Sequence, residues 1–185
     1  MVKTVELGSL GSVCVGGTPS RSHPEYFDGD IPWVTSTALG PLAIGGGDAT
    51  QLLSDAGVRN SSTKRIPVGS LLIGIRVGVG KSSIVNDEIC INQDILALTN
   101  IDDEAVFLPY LKFAIDSHSN WFAENKRGAT IKGVTSKEVA KLMIPLPAVC
   151  RQKSVVRKLL TLDAVQCLLH SELRAFEQLV QSRFI

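Results

Sequence analysis

At 185 residues, 44% of them hydrophobic, the chain has material for one globular core plus an appendage, and a net charge of +1 does not by itself mark a nucleic-acid binder. The four cysteines, at 14, 90, 150 and 167, lack C-x-x-C spacing and nearby histidines, so no zinc site is expected and buried free thiols in a reducing cytoplasm are. Residues 1–7 lack the apolar core of a signal peptide, and the longest apolar run, 71–79, is short and carries Arg76, so neither a leader nor a membrane span is expected.

Residues 2–7 read as a short strand broken by Gly8 and Gly11, and 13–15 as a second. The second runs into Gly16-Gly17-Thr18-Pro19-Ser20, a turn whose glycines permit positive φ and whose Pro19 stiffens the exit. Tyr26 and Phe27 are expected packing anchors, and Ile31-Pro32-Trp33-Val34 an edge strand, because proline cannot donate to a ladder. Residues 40–47 read as a loop, with Leu42 and Ile44 touching the core; 52–58 is ambiguous between helix and strand. The apolar runs 70–77, 83–85, 88–91 and 95–98 have strand length and are separated by turn residues, which predicts a β-meander. Three acids at 102–104 and Pro109 suit a helix start, and 108–123 reads as one helix. Thr135-Ser136-Lys137-Glu138 has capping-box spacing, and Ile144-Pro145-Leu146-Pro147 is extended.

The remainder, 151–185, contains neither proline nor glycine. Val155, Leu159, Leu162, Gln166, Leu169, Leu173, Phe176 and Val180 follow alternating steps of four and three, a heptad seam with one polar member. Such a helix would run roughly 50 Å, more than the preceding domain needs for its own core. A narrow apolar stripe on a long rod predicts a second helix lying along it. The predicted fold class is α/β in the α+β sense: a globular domain with a β-meander and short helices over 1–147, then a spacer and dimerisation helix over 148–185.

Charge is polarised along the chain. Residues 58–86 hold Arg59, Lys64, Arg65, Arg76 and Lys81 with no acid; 125–137 hold Lys126, Arg127, Lys132 and Lys137, again with none. Basic segments that converge in space make a phosphate-binding face. The candidate phosphate contacts are therefore Arg59, Lys64, Arg65, Lys126, Arg127 and Lys132, with Arg21, Arg76 and Lys81 as second choices.

Catalytic motifs fail on inspection. Gly80-Lys81-Ser82 would need a glycine where Ile75 stands and a following helix where a strand is expected, so it is no phosphate loop. Ser61-Ser62-Thr63-Lys64 has Ser-x-x-Lys spacing without its partner motifs. His23, His118 and His170 are isolated, and neither a nuclease cluster nor a cofactor fingerprint is present. No cofactor and no metal are expected.

Several stretches in order carry a resemblance: Gly16-Gly17-Thr18-Pro19-Ser20, Gly29-Asp30-Ile31-Pro32-Trp33-Val34-Thr35, Arg76-Val77-Gly78-Val79-Gly80-Lys81, Ile91-Asn92-Gln93, Gly128-Ala129-Thr130, Ile144-Pro145-Leu146-Pro147 and Gln152-Lys153. Together they resemble the DNA specificity subunit of type I restriction–modification systems over nearly the whole chain. The resemblance implies a non-catalytic subunit with two target recognition domains spaced by two long helices paired as an antiparallel coiled coil. Each domain of such a subunit reads half of a bipartite site in double-stranded DNA. Methyltransferase subunits dock on it and, through them, a restriction subunit. This chain departs by holding one recognition domain and one helix: it looks like a half-subunit, for which pairing as a homodimer is the expectation, with a truncation or a split gene product as the alternatives. The competing expectation is a protein-interaction scaffold whose helix docks a partner without DNA reading.

Overall fold

The computed structural model describes residues 2–128 and 132–183. The chain begins with β1 (Thr4–Glu6), followed by a 3-10 turn, and β2 (Ser12–Val15). Next come β3 (Ile31–Val34), β4 (Ala43–Ile44), β5 (Gln51–Leu53), α1 (Asp55–Arg59) and β6 (Lys64–Ile66). Then follow β7 (Leu71–Gly74), β8 (Ser82–Val85), β9 (Ile89–Ile91) and β10 (Ile95–Thr99). The helices α2 (Leu108–Asp116), α3 (Ser119–Asn125) and α4 (Ser136–Ala140), the strand β11 (Met143–Pro145) and the long α5 (Val149–Arg183) complete it.

Three sheets result: β2-β10-β7-β8-β4, β5-β3-β9-β6 and the pair β1-β11. The centre of the five-stranded sheet is buried on both faces, which explains why Leu71–Ile73 of β7 and Ile95–Leu98 of β10 are continuously apolar instead of alternating. Leu71, Ile73, Leu96 and Leu98 point to one face and pack with Leu111, Ile115, Phe122 and Val139 of the helices. Leu72, Ile95 and Ala97 point to the other and meet Val34, Ile66, Ile89 and Ile91 of the four-stranded sheet. The period of two thus assigns each strand residue to one of two cores. β11 pairs antiparallel with β1, with Val5 opposite Ile144, and thereby ties the two ends of the domain together just before α5 begins.

Several expectations change. β3 is not an edge strand; it lies between β5 and β9. Pro32 is tolerated because the parallel pairing with β9 covers only Trp33 and Val34, leaving Pro32 alongside β5 alone. Of the expected meander, β7 and β8 are hairpin neighbours, whereas β9 crosses into the other sheet and β10 returns to lie between β2 and β7. The 52–58 ambiguity resolves into both answers: β5, then α1 capped by the Ser54 hydroxyl, which accepts from Gly57 N at 3.2 Å. The single helix expected at 108–123 breaks at Ser117-His118, where the Ser117 hydroxyl and the His118 ring both reach the Ala114 carbonyl and compete with the backbone ladder. Leu42 is exposed, while Ile44 is buried as expected. The capping box at Thr135–Glu138 forms in full. All four cysteines are free; Cys90 is buried and Cys14 half-buried, but Cys150 and Cys167 are exposed on α5. No described helix is long and apolar enough to cross a membrane.

Candidate nucleic-acid interface

Three of the ordered motifs, 16–20, 29–35 and 91–93, meet at one junction. Gly17 N donates to Ile91 O at 3.0 Å, Trp33 Nε1 donates to Gly17 O at 3.2 Å, and the Thr18 hydroxyl bonds the Gln93 side chain. Neither Gly16 nor Gly17 has the positive φ expected of it; close packing excludes a side chain there. A Cβ on Gly16 would stand 2.1 Å from Ile91 O, and one on Gly17 would stand 2.7 Å from Thr63 N. The glycine turn is thus pressed flat onto the end of β9, and its motif partners are the residues it touches.

The turn from β7 to β8 projects beside this junction. Gly74 N donates to Lys81 O and Gly80 N to Gly74 O, both at 2.9 Å, which folds 74–81 back on itself. Gly80 has φ +86°, and a Cβ there would meet the Phe122 ring at 2.8 Å. The second basic segment is braced against this turn: Arg127 and Gly133 exchange backbone hydrogen bonds at 2.8 and 2.9 Å, and Val134 N donates to Ile75 O at 2.8 Å. Arg76 and Arg127 consequently face one cleft of about 480 Å³ that also exposes Gln93 and Glu138. Lys81 and Lys126 line a second hollow of about 430 Å³ with Lys112 and Asp116. Lys132 is exposed next to Gly133; Ala129 and Thr130 of the Gly-Ala-Thr motif lie outside the described residues.

The remaining candidates lie elsewhere. Arg59 ends α1, and Lys64 and Arg65 stand on β6 at the edge of the four-stranded sheet. Arg65 is engaged: its guanidinium bonds Glu88 at 3.0 Å and Asp55 at 2.9 Å, with Glu88 the larger cause of a raised pKa. Lys64 lies near Cys14, whose thiol pKa is raised by burial and pulled back by that lysine. Arg21 bonds Gln51 Oε1 at 3.3 Å and sits 5.3 Å from the centre of the Phe27 ring. The cleft arginines have acidic neighbours too. Arg76 is 4.0 Å from Asp94. The Glu138 carboxyl is held below the ordinary range by the Thr135 N–H and hydroxyl, with Arg127 adding a smaller pull.

Two participants escaped sequence reading. Gln93 was legible only as part of a motif, and Lys112 as a lone base among acids. Lys112 is nearly buried, bonds Asp116 at 2.5 Å and donates to Gly40 O at 3.2 Å, so it pins the loop before β4 to α2. Among the described residues no group of three or more His, Cys, Asp or Glu is placed to hold a metal ion.

Along α5 only the first turns touch the domain. Gln152 and Val156 are buried, Val155 and Leu159 half-buried. From Leu160 through Ser182 every side chain is exposed. Leu162, Leu169, Leu173 and Phe176 of the seam are 64, 55, 59 and 66% exposed; Val180 and Gln166 are exposed with them. Val165, Leu168 and Leu179, outside the predicted seam, widen the apolar face.

The family model for the type I restriction modification DNA specificity domain matches residues 1–175. The specificity subunit of the type I restriction enzyme EcoR124I/EcoR124II of Escherichia coli is 28% identical over 166 residues, covering 86% of this chain and 40% of that protein. The MjaIX specificity subunit of Methanocaldococcus jannaschii is 27% identical over 164 residues, covering 85% and 37%. The HsdS subunit of Thermoanaerobacter tengcongensis superimposes with a TM-score of 0.67 at 21% identity, over 94% of this chain and 39% of that one. A type I R-M system structure described for complex assembly and conformational transition gives 0.64 at 22%, over 94% and 40%. The structural likenesses establish a shared fold. The chain spans about 40% of the length of the curated relatives it matches.

Proposed function

Because this chain belongs to the type I restriction modification DNA specificity domain family, we propose that it works as a half-subunit: residues 1–147 read one half of a bipartite DNA sequence, and residues 148–185 pair with a second copy. The subunit performs no chemistry. It supplies sequence choice to methyltransferase subunits that dock on it and, through them, to a restriction subunit.

The observation that carries this reading is the rod. An apolar stripe stays exposed from Leu162 to Val180, with no cover among the described residues. Two copies laid antiparallel cover it for each other and form a closed two-fold pair, the commonest kind of homo-oligomer. The domains then stand at opposite ends of the rod, which suits a site with two-fold symmetry and an unread spacer. Gln166 within the stripe lowers stability but favours one register.

DNA affinity in this reading comes from Arg76, Arg127, Lys81 and Lys126, which flank two neighbouring hollows at one end of the five-stranded sheet, with Lys132 beside them. Phosphate contacts position the domain, and base-edge contacts choose the sequence. Methylation mapping with methyltransferase subunits present tests the proposal. A symmetric, interrupted target supports it; an asymmetric target rejects the homodimer. A gel shift on random duplexes separates it from a protein-interaction scaffold, which would leave DNA unshifted with and without those subunits.

A further inference from the structure

From the geometry at the base of α5 we infer that Gln152 is the positioning residue of the joint between domain and rod, and that it sets the spacer length the paired subunit accepts. The inference rests on the DNA-reading proposal for its functional consequence, not for its structural content.

Gln152 is 0% exposed, yet it is polar and sits in the first turn of a helix whose later turns are wholly exposed. Its side-chain amide is fully used. Oε1 accepts from Phe107 N at 2.8 Å, and Nε2 donates to Ala105 O at 3.0 Å and to Pro147 O at 2.8 Å. One amide therefore ties three pieces together: the loop before α2, the start of α2, and the segment that leads into α5. Phe107 is the N-cap residue of α2 and has no side-chain cap of its own, so the Gln152 oxygen stands in as acceptor for that helix start. Glutamate cannot make the same set, because an ionised carboxylate only accepts.

Other contacts share the joint: β11 is paired with β1, Leu146 N donates to Lys3 O at 2.7 Å, and Val155 and Leu159 are half-buried. Val156 is buried one turn on, the Tyr110 hydroxyl donates to Pro145 O at 2.8 Å, and Lys153 Nζ lies 5.7 Å from the centre of the Phe107 ring. Beyond Leu160 nothing among the described residues packs against the rod. The lever is long: from Gln152 to the end of α5 is roughly 46 Å at 1.5 Å per residue. A swing of ~10° at the joint moves that far end by roughly 8 Å, about two base-pair steps of 3.4 Å. A reader of spaced half-sites cannot tolerate that error, and the three bonds to rigid backbone suppress it.

The test uses the full chain. A spin label on Cys167, with Cys150→Ser and a second label on Val68→Cys, reports the rod-to-domain distance; labelled chains are diluted into unlabelled ones so that only distances within one chain count. The unmodified joint gives a single narrow distribution. Gln152→Ala broadens it by several ångström, and Gln152→Glu, which keeps the acceptor and loses both donors, broadens it less. In DNA binding, the variants keep affinity for an isolated half-site within about threefold. They lose the preference for one spacer length, so that spacers differing by one or two base pairs bind within about threefold of each other. A folded Gln152→Ala protein with an unchanged distance distribution, or with undiminished spacer preference, overturns the assignment. If Gln152→Ala does not fold, the Gln152→Glu distances decide in the same way. If the unmodified protein binds no duplex, the proposed DNA reading falls while the label distances still decide the joint.

Discussion

The pairing of two rods is open to a quantitative test at Leu173. Its side chain is 59% exposed in the single chain and contacts no part of the domain, so truncation should leave the fold unchanged. Alanine is also the best helix former, so Leu173→Ala does not weaken the rod for reasons of propensity. Full burial of a leucine is worth about 1.5–3 kcal/mol, and the share still exposed here makes pairing worth about 1–2 kcal/mol at this position. A two-fold pair contains the residue twice, so the variant loses about 2–4 kcal/mol of association, which is roughly 30- to 700-fold in dissociation constant at 1.4 kcal/mol per decade. Sedimentation equilibrium over a concentration series reads the constant directly, with Gln178→Ala on the opposite helix face as control. A Leu173→Ala constant within about threefold of the original, or an original chain that remains monomeric throughout, refutes the pairing along this stripe. A large drop in thermal stability of the domain would refute the premise that the stripe is free.

Three further outcomes follow from the site. Arg76→Ala and Arg127→Ala should each lower the salt slope of DNA binding by about 0.9, one released counterion; Arg65→Ala, whose guanidinium already serves Asp55 and Glu88, should leave the slope unchanged and cost under about 1 kcal/mol of stability. Gly16→Ala places a Cβ 2.1 Å from Ile91 O, so it should destabilise the fold. The cost is about 3 kcal/mol, or a Tm lower by about 6–12 °C in thermal denaturation of a chain this size. Glu138 has a depressed pKa in the folded state, so its stabilising contribution is present above the ordinary carboxylate value of about 4.3 and is lost as pH falls through the lower folded value. In a Tm-against-pH series Glu138→Gln should flatten the acid limb in that window, and an unaltered limb would show that the capping box does not produce it.

The parts of the structure legible in the sequence are those where local chemistry agrees with the tertiary outcome. Thr135 and Glu138 announce their capping box because both partners lie within four residues. The heptad steps from Val155 to Val180 and the lack of proline and glycine announce the rod because, among the described residues, the domain touches that face only at Val155 and Leu159. Pro32 misled because its missing donor argues for an edge, whereas a parallel neighbour that starts one residue later satisfies the same constraint from the inside. The 108–123 helix misled because apolar spacing continues through Ser117 and His118, whose side chains prefer the Ala114 carbonyl. Gly16 and Gly17 were read as a turn, yet the reasons for them are distant backbones, Ile91 for Gly16 and Ser62–Thr63 for Gly17, which no local pattern contains. The candidate bases divide for a similar reason. Arg76 and Arg127 meet because Val134 pairs with Ile75, and Arg65 is withdrawn because Glu88 faces it across the sheet.

In the proposed dimer the rod and its pairing are one physical event. Among the described residues the helix beyond Leu160 is supported only by its own ladder and by local bonds such as Thr161 Oγ1 to Arg157 O, and most helical stability in proteins comes from packing of an apolar face. Stiffness must therefore come from the partner that covers the stripe. An antiparallel pair has one register that gives every seam residue a seam partner: Val155 with Val180, Leu159 with Phe176, Leu162 with Leu173, and Gln166 with Leu169 of the other copy. Shifting by one heptad leaves two seam residues at each end without a seam partner and moves Gln166 further from the two-fold axis, near which the amides of the two copies lie within a turn of each other in the full register. The polar residue is thus cheapest in the same register that buries most apolar surface. In that register the two Gln152 joints stand roughly 46 Å apart along the rod. The distance between the two reading domains is then fixed by residue count and by the angle at each joint, and that distance is defined only once two chains have met.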